Sequence, residues 1–180
     1  ASAPLAEIVR EMDKDSDNLL AETLLREIGI HAKGAPGTRD KGLKAVQDFL
    51  KRAGWNEDDY RVVDGCGLSR YDAITPAELT KLLCYMPSEQ LAYPALLIAL
   101  PIAGVDGTLQ ERLDTPLTRG HLRAKTGTMT GVSSLAGYLD TADGRTLAIA
   151  VMNNNYLDTP ERARALQDAL VTLFAAPQNH

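Results

Sequence analysis

Between residues 121 and 154 the sequence changes its period, and that change limits the fold more than any other feature. Three runs, "LRAKTGTM", "SSLAGYLDT" and "TLAIAVMNN", have strand character. "TGV" joins the first two and "ADGR" joins the second pair, so neighbouring strands must run antiparallel. The chain closes on "TPERARALQDALVTLF", residues 159–174, where Thr159 reads as an N-cap and Pro160 as the first helical residue. Ala163, Leu166, Leu170 and Leu173 form an apolar stripe there. The expectation for residues 121–180 is a three-stranded antiparallel sheet covered by a C-terminal helix.

Residues 1–120 read as mainly helical. Leu5, Ile8, Val9 and Met12 follow helical spacing, and Leu19, Leu20, Leu24, Leu25 and Ile28 follow it again up to Gly29, read as a helix stop. Leu43, Val46, Gln47 and Leu50 carry a third helix to Gly54. The turn-rich stretch 62–76 ends at Thr75-Pro76 with Glu78 at N3, which predicts a helix to about Met86 and another over roughly 88–100. "YPALLIALPIAGV" is too short to span a bilayer and reads as a buried helix followed by a loop. "WNEDDY" reads as a solvated loop. The two parts make one α+β domain.

A net charge of −5 leaves little to compensate phosphates, which argues against nucleic-acid binding. Cys66, Cys84 and three scattered histidines fit no metal spacing. Cys84 reads as a core residue of a helix face, and no pairing of the two cysteines is implied. No cofactor is expected.

"MDKDSDNLLAE", residues 12–22, opens like a calcium loop with Asp13, Asp15 and Asp17 at alternate positions. An EF-hand needs glycine at its position 6 and glutamate at 12; here those are Asn18 and Leu24, so calcium is rejected. Asp13 and Asp15 then read as polar residues between helices. Ser16, Asp17 and Asn18 are all N-cap types before a helical run, and Glu22 would support the first turn. In "AKTGTMTG", Lys125 interrupts an apolar strand, while Thr126, Gly127 and Thr128 leave room for a ligand backbone. Alone, each triplet is weak: an N-cap, and a lysine on a solvated strand face.

S-D-N followed by K-T-G, with the second on a strand, matches two of three signatures of penicillin-recognising serine enzymes. With "VDGCGLSRYDAITPAELTKLL" and "LPIAGVDGTLQERL", nearly the whole chain resembles the D-alanyl-D-alanine carboxypeptidase/endopeptidase family, the class C low-molecular-mass penicillin-binding proteins of peptidase family S13. The resemblance implies part of a transpeptidase/β-lactamase-like fold, action on peptidoglycan peptides, acylation by β-lactams and a periplasmic or extracytoplasmic location. It implies catalytic roles for Ser16, Asn18 and Lys125 and substrate binding by Thr126, Gly127 and Thr128, the last through its hydroxyl and its backbone N–H. Asp106, Gly107 and Thr108 form a turn in a block that lies near the site in that family.

The third signature, S-x-x-K, carries the nucleophile, and none of the serines at 2, 16, 69, 88, 133 and 134 has lysine three positions on. Thr38-Arg-Asp-Lys41 has the spacing, but lies after S-D-N in a loop. The chain is therefore expected to be a C-terminal piece, inactive alone, with a non-catalytic peptidoglycan-peptide binding module as the rival reading. The strand carrying Lys125 is expected to expose an unpaired edge that invites homo-oligomers. Cys66 stands where the family's D-G-S-G pattern has serine, and reads as a small substitute near the site.

Overall fold

A computed structural model describes residues 2–177. The helices are α1 (Leu5–Asp15), α2 (Asn18–Lys33), α3 (Arg39–Arg52), α4 (Pro76–Tyr85), α5 (Ala92–Ala99) and α6 (Pro160–Ala175). Strands β1 (Leu122–Met129), β2 (Val132–Asp140) and β3 (Thr146–Asn154) form an antiparallel sheet in that order. Lys125 pairs with Ala136, and Ala136 with Ala150, so one register carries across the sheet. No helix among the described residues is long and apolar enough to cross a membrane. The carboxyl-terminal His180 lies outside the described residues.

The two faces of the sheet have different jobs. Leu122, Ala124, Leu135 and Leu139 point to one side, where they pack with Ala103, Leu109 and Leu113 and with Val171 and Ala175 of α6. Tyr138 and Ala136 point to the other side, against Leu83 of α4 and Tyr93, Leu96 and Leu97 of α5, and the Tyr138 hydroxyl donates to Leu83 O at 2.8 Å. Period-2 alternation therefore puts Lys125 on the face toward the helical part.

Several expectations need correction. Gly29 does not end α2, which runs on to Lys33 and closes at Gly34, whose φ is 77° and whose N–H donates to Ile30 O. Gly29 and Gly42 are where α2 and α3 touch: a Cβ on Gly29 would lie 2.8 Å from Gly42 N, and one on Gly42 2.1 Å from Leu25 O. On α6 the buried residues are Ala163, Gln167, Val171 and Ala175, while Leu166 and Leu173 are exposed. The stripe is displaced because the buried Gln167 amide is satisfied: Nε2 donates to Ser133 Oγ and Asn153 Oδ1, and Oε1 accepts from Arg112. Thr159 occupies the N-cap position, but its side chain does not cap the helix backbone. Thr75 does cap α4, in a reciprocal box with Glu78.

Cys84 is exposed on α4 rather than in the core, which takes its neighbour Leu83. Trp55 is buried with Leu50 and Ala53, so only the middle of "WNEDDY" is solvated. The helix of the apolar run is shorter than expected and half-buried, with Ile98 exposed. The edge of β1 is open only along part of its length. Ala103 N–H donates to Leu122 O and Ala124 N–H to Pro101 O, so a preceding segment covers the first half.

Candidate active site

The α1–α2 junction and the open half of β1 face each other across a cleft of about 760 Å³. Asp13, Ser16, Asp17 and Asn18 line one wall; Lys125, Thr126, Gly127 and Thr128 line the other. Lys125 Nζ spans the gap, donating to Ser16 Oγ at 2.7 Å and to Thr126 O at 2.9 Å. All six sequence-selected residues therefore meet at one place, although 109 residues separate Ser16 from Lys125.

Local structure explains why the S-D-N triplet can present two side chains. Asp17 alone is the cap: its Oδ1 accepts from Leu20 N–H at 2.9 Å. Ser16 closes α1 in the left-handed conformation, φ 57° and ψ 48°, which turns its hydroxyl toward β1. Asn18 is the first, exposed residue of α2. Glu22 does not support the first turn; Oε1 instead accepts from Gly65 and Cys66 N–H at 2.7 and 3.1 Å, fixing a third wall of the cleft.

On β1, strand parity sets what the edge offers. Leu122 and Ala124 bond outward to residues 103 and 101, so Thr126 and Thr128, of the same parity, also turn N–H and C=O outward. The Thr128 N–H thus points into the cleft. Thr126 Oγ1 donates to Thr108 Oγ1 at 2.8 Å. A Cβ on Gly127 would meet Ser134 Oγ at 2.5 Å, so glycine gives that hydroxyl its place in the wall.

Electrostatics sharpen this picture. Burial pushes the Lys125 ammonium below the ordinary lysine range, and Asp13 partly opposes that shift. Burial pushes Asp13 up, against the pull of Lys125 and Lys14. Asp13 lies in the last turn of α1, half-buried, and not in a polar loop. Lys14 points the other way: Nζ donates to both Asp106 oxygens and to Leu100 O, each at 2.7 Å. Asp106 also accepts from Ile102 N–H, so this pair ties α1 to the turn that presents Thr108. Burial first, then Asp64 and Glu22, raise the Cys66 thiol, which is the wrong direction for a nucleophile.

Sequence reasoning missed Asp13, Lys14, Glu22 and Ser134. Only Lys14 carried a local signal, a lysine in the last turn of α1.

Comparisons with known proteins bear on the chain's family and fold. Carboxypeptidase DacB of Mycolicibacterium smegmatis is 39% identical over 178 residues, covering 96% of this chain and 38% of that protein. The D-alanyl-D-alanine carboxypeptidase of Actinomadura sp. (strain R39) is 36% identical over 184 residues, covering 99% and 33%. The chain thus spans about a third of the length of these relatives. The crystal structure of penicillin binding protein 4 (dacB) from Haemophilus influenzae superposes with a TM-score of 0.86 at 30% identity, covering 98% of this chain and 41% of that one. The TLA-1 extended-spectrum β-lactamase shares the fold, with a TM-score of 0.72 at 17% identity over 97% of this chain and 64% of its own. The profile of the D-Ala-D-Ala carboxypeptidase 3 (S13) family matches residues 1–176, and the chain belongs to that family.

Proposed function

We propose that this chain supplies three walls of a serine-type D-Ala-D-Ala carboxypeptidase/endopeptidase site acting on peptidoglycan peptides outside the cytoplasm, and that β-lactams acylate the whole protein there. The observation that carries the reading is the Lys125 Nζ–Ser16 Oγ bond across the cleft. Because Ser16 Oγ accepts from the ammonium, its own proton is free to go to a leaving amine. Asn18 offers an amide to the substrate's peptide carbonyl. The Thr126 and Thr128 hydroxyls and the Lys125 charge suit a terminal carboxylate. The outward Thr128 N–H suits an oxyanion; loss of such a donor costs about 10²–10³ in rate.

The nucleophile is not among these 180 residues, since no serine has lysine three positions on. Intact-mass analysis after incubation with benzylpenicillin should therefore show no covalent adduct on this chain, whereas a protein that joins it to an S-x-x-K segment should label once. A stoichiometric adduct on the chain itself would overturn the division of roles. The second reading is a module that binds muropeptides without chemistry. Titration with a D-Ala-D-Ala peptide separates the two: binding that Lys125→Ala abolishes, with no labelling in the extended protein, selects the module. Self-association belongs to the same proposal, through the outer edge of β3, which among the described residues pairs only with β2. A strictly monomeric mass at high concentration overturns it.

A further inference from the structure

Asp13 is an anomaly in the cleft. Its carboxylate is half-buried, lines the same space as Ser16 and Lys125, and sits one turn before Ser16 on α1. Among the described residues it forms no hydrogen bond and no ion pair within 4.0 Å. Half-buried carboxylates ordinarily acquire donors, because taking the charge out of water is unfavourable. Lys125 is anomalous in the complementary way. Its ammonium has two oxygen acceptors, Ser16 Oγ and Thr126 O, but no carboxylate within ion-pair distance. Among the charged side chains, Lys125 acts most strongly on Asp13, and Asp13 is the charge that acts on Lys125.

Most of the remaining charges around them are committed elsewhere. On α1, Lys14 is held by Asp106 and Leu100 O, and Asp15 is exposed. On α2, Asp17 caps its helix and Glu22 accepts from residues 65 and 66. Across the cleft, Asp64 accepts from Gly67 and Ser69 N–H, and Cys66 is a raised thiol. Arg112 is paired with Asp168. Arg164 of α6 also lines the cleft. The α5 helix and the turn Gly107–Leu109, which pack on α1, carry no acid or base except the Tyr93 phenol.

We infer that Asp13 is a positioning residue for the site's charge: a counter-ion, held short of contact, that keeps Lys125 protonated while Lys125 stays bonded to Ser16. The gap matters. A direct Asp13–Lys125 ion pair would compete with Ser16 for the ammonium, whereas a carboxylate at longer range supports the charge and leaves the hydrogen bond in place. The shifts of the two groups have the corresponding signs, burial disfavouring each charge and the partner favouring it. The inference deepens the peptidase reading, since it gives the relay lysine a dedicated partner, but its primary test does not depend on that reading.

The test is an NMR titration of this chain with ¹³Cε-labelled lysine. The Lys125 midpoint should fall in Asp13→Asn and stay near wild type in Asp13→Glu, while the other lysines do not move. In the unmodified chain, Lys125 Cε should also show a small acid-side inflection at the pH where Asp13 Cγ titrates. An unchanged midpoint in Asp13→Asn, an equal fall in both variants, or no reciprocal inflection overturns the inference. In the extended protein bearing the nucleophile, Asp13→Asn should move the alkaline limb of β-lactam acylation to lower pH. An unlabelled parent would count against the peptidase reading while the titration still decides the role of Asp13.

Discussion

Replacing Lys14 with methionine tests how the cleft is held together. Methionine keeps the length and apolar stem of lysine on α1 and removes only the ammonium. Three contacts disappear, those to Leu100 O and to both oxygens of Asp106, each 2.7 Å long. The Lys14 side chain is 11% exposed and that of Asp106 39%. Breaking a fully buried pair costs about 3–5 kcal/mol, mostly through the stranded partner. Asp106 can recover some hydration and keeps its bond from Ile102 N–H, so the expected loss is lower, about 2–3 kcal/mol. For a chain of this size that is roughly 5–10 °C in Tm. Urea denaturation of Lys14→Met, Asp106→Asn and the double variant gives the coupling directly. The double variant should lose clearly less than the sum of the singles, because neither leaves the other charge stranded. A Lys14→Met loss below about 0.5 kcal/mol would show that the pair is solvated like a surface bridge and would refute the argument.

Gly42→Ala should destabilise the chain by about 1–3 kcal/mol, read by urea midpoint, because a Cβ 2.1 Å from Leu25 O must push α2 off α3; an unchanged or raised midpoint, as helix propensity alone would give, contradicts the crossing. Asp13→Asn has a pH-dependent sign: burial raises the folded pKa of Asp13, so the native state binds the extra proton, and wild-type stability falls as pH rises from the ordinary carboxylate range through the raised value. The variant should be the more stable protein at pH 7 and lose that advantage near pH 3, and an equal gap at both values refutes it.

The strands were the most legible part of the chain. The runs read from the sequence as "LRAKTGTM" and "TLAIAVMNN" are β1 and β3 to the residue, because alternation and tight connections are local signals. The Thr75–Glu78 box was legible for the same reason. What escaped was settled at a distance. Gly29 has a helix stop's composition, and only the approach of Gly42 shows that it is a crossing point. Leu166 loses its place on the buried face to Gln167 because Ser133, Asn153 and Arg112, all remote in sequence, satisfy a polar amide there. Ser16, Asn18 and Lys125 were found through order and identity of motif, not periodicity; no pattern rule would have brought Asp13 into the cleft.

S-D-N is at once an N-cap and a cleft wall, and the structure separates the two by residue. Asp17 satisfies a helix donor, so Ser16 and Asn18 are released from that duty. The release has a conformational consequence, since Ser16 sits in the left-handed region, which costs a non-glycine residue about 1–2 kcal/mol. Asp13 and Lys125 carry desolvation in the same few ångströms. These terms oppose folding, so something nearby must hold α1 in place. Lys14, adjacent to Asp13 and turned away from the cleft, does so through Asp106 and Leu100 O. Neighbouring residues thus carry opposite burdens: 13 and 16 face the cleft at a loss in stability, and 14 anchors the helix that presents them. If that coupling is right, weakening the Lys14 anchor should be felt at the Lys125–Ser16 bond before the rest of the sheet loosens. The turn that Asp106 fixes also carries Thr108, the partner of Thr126 on the opposite wall.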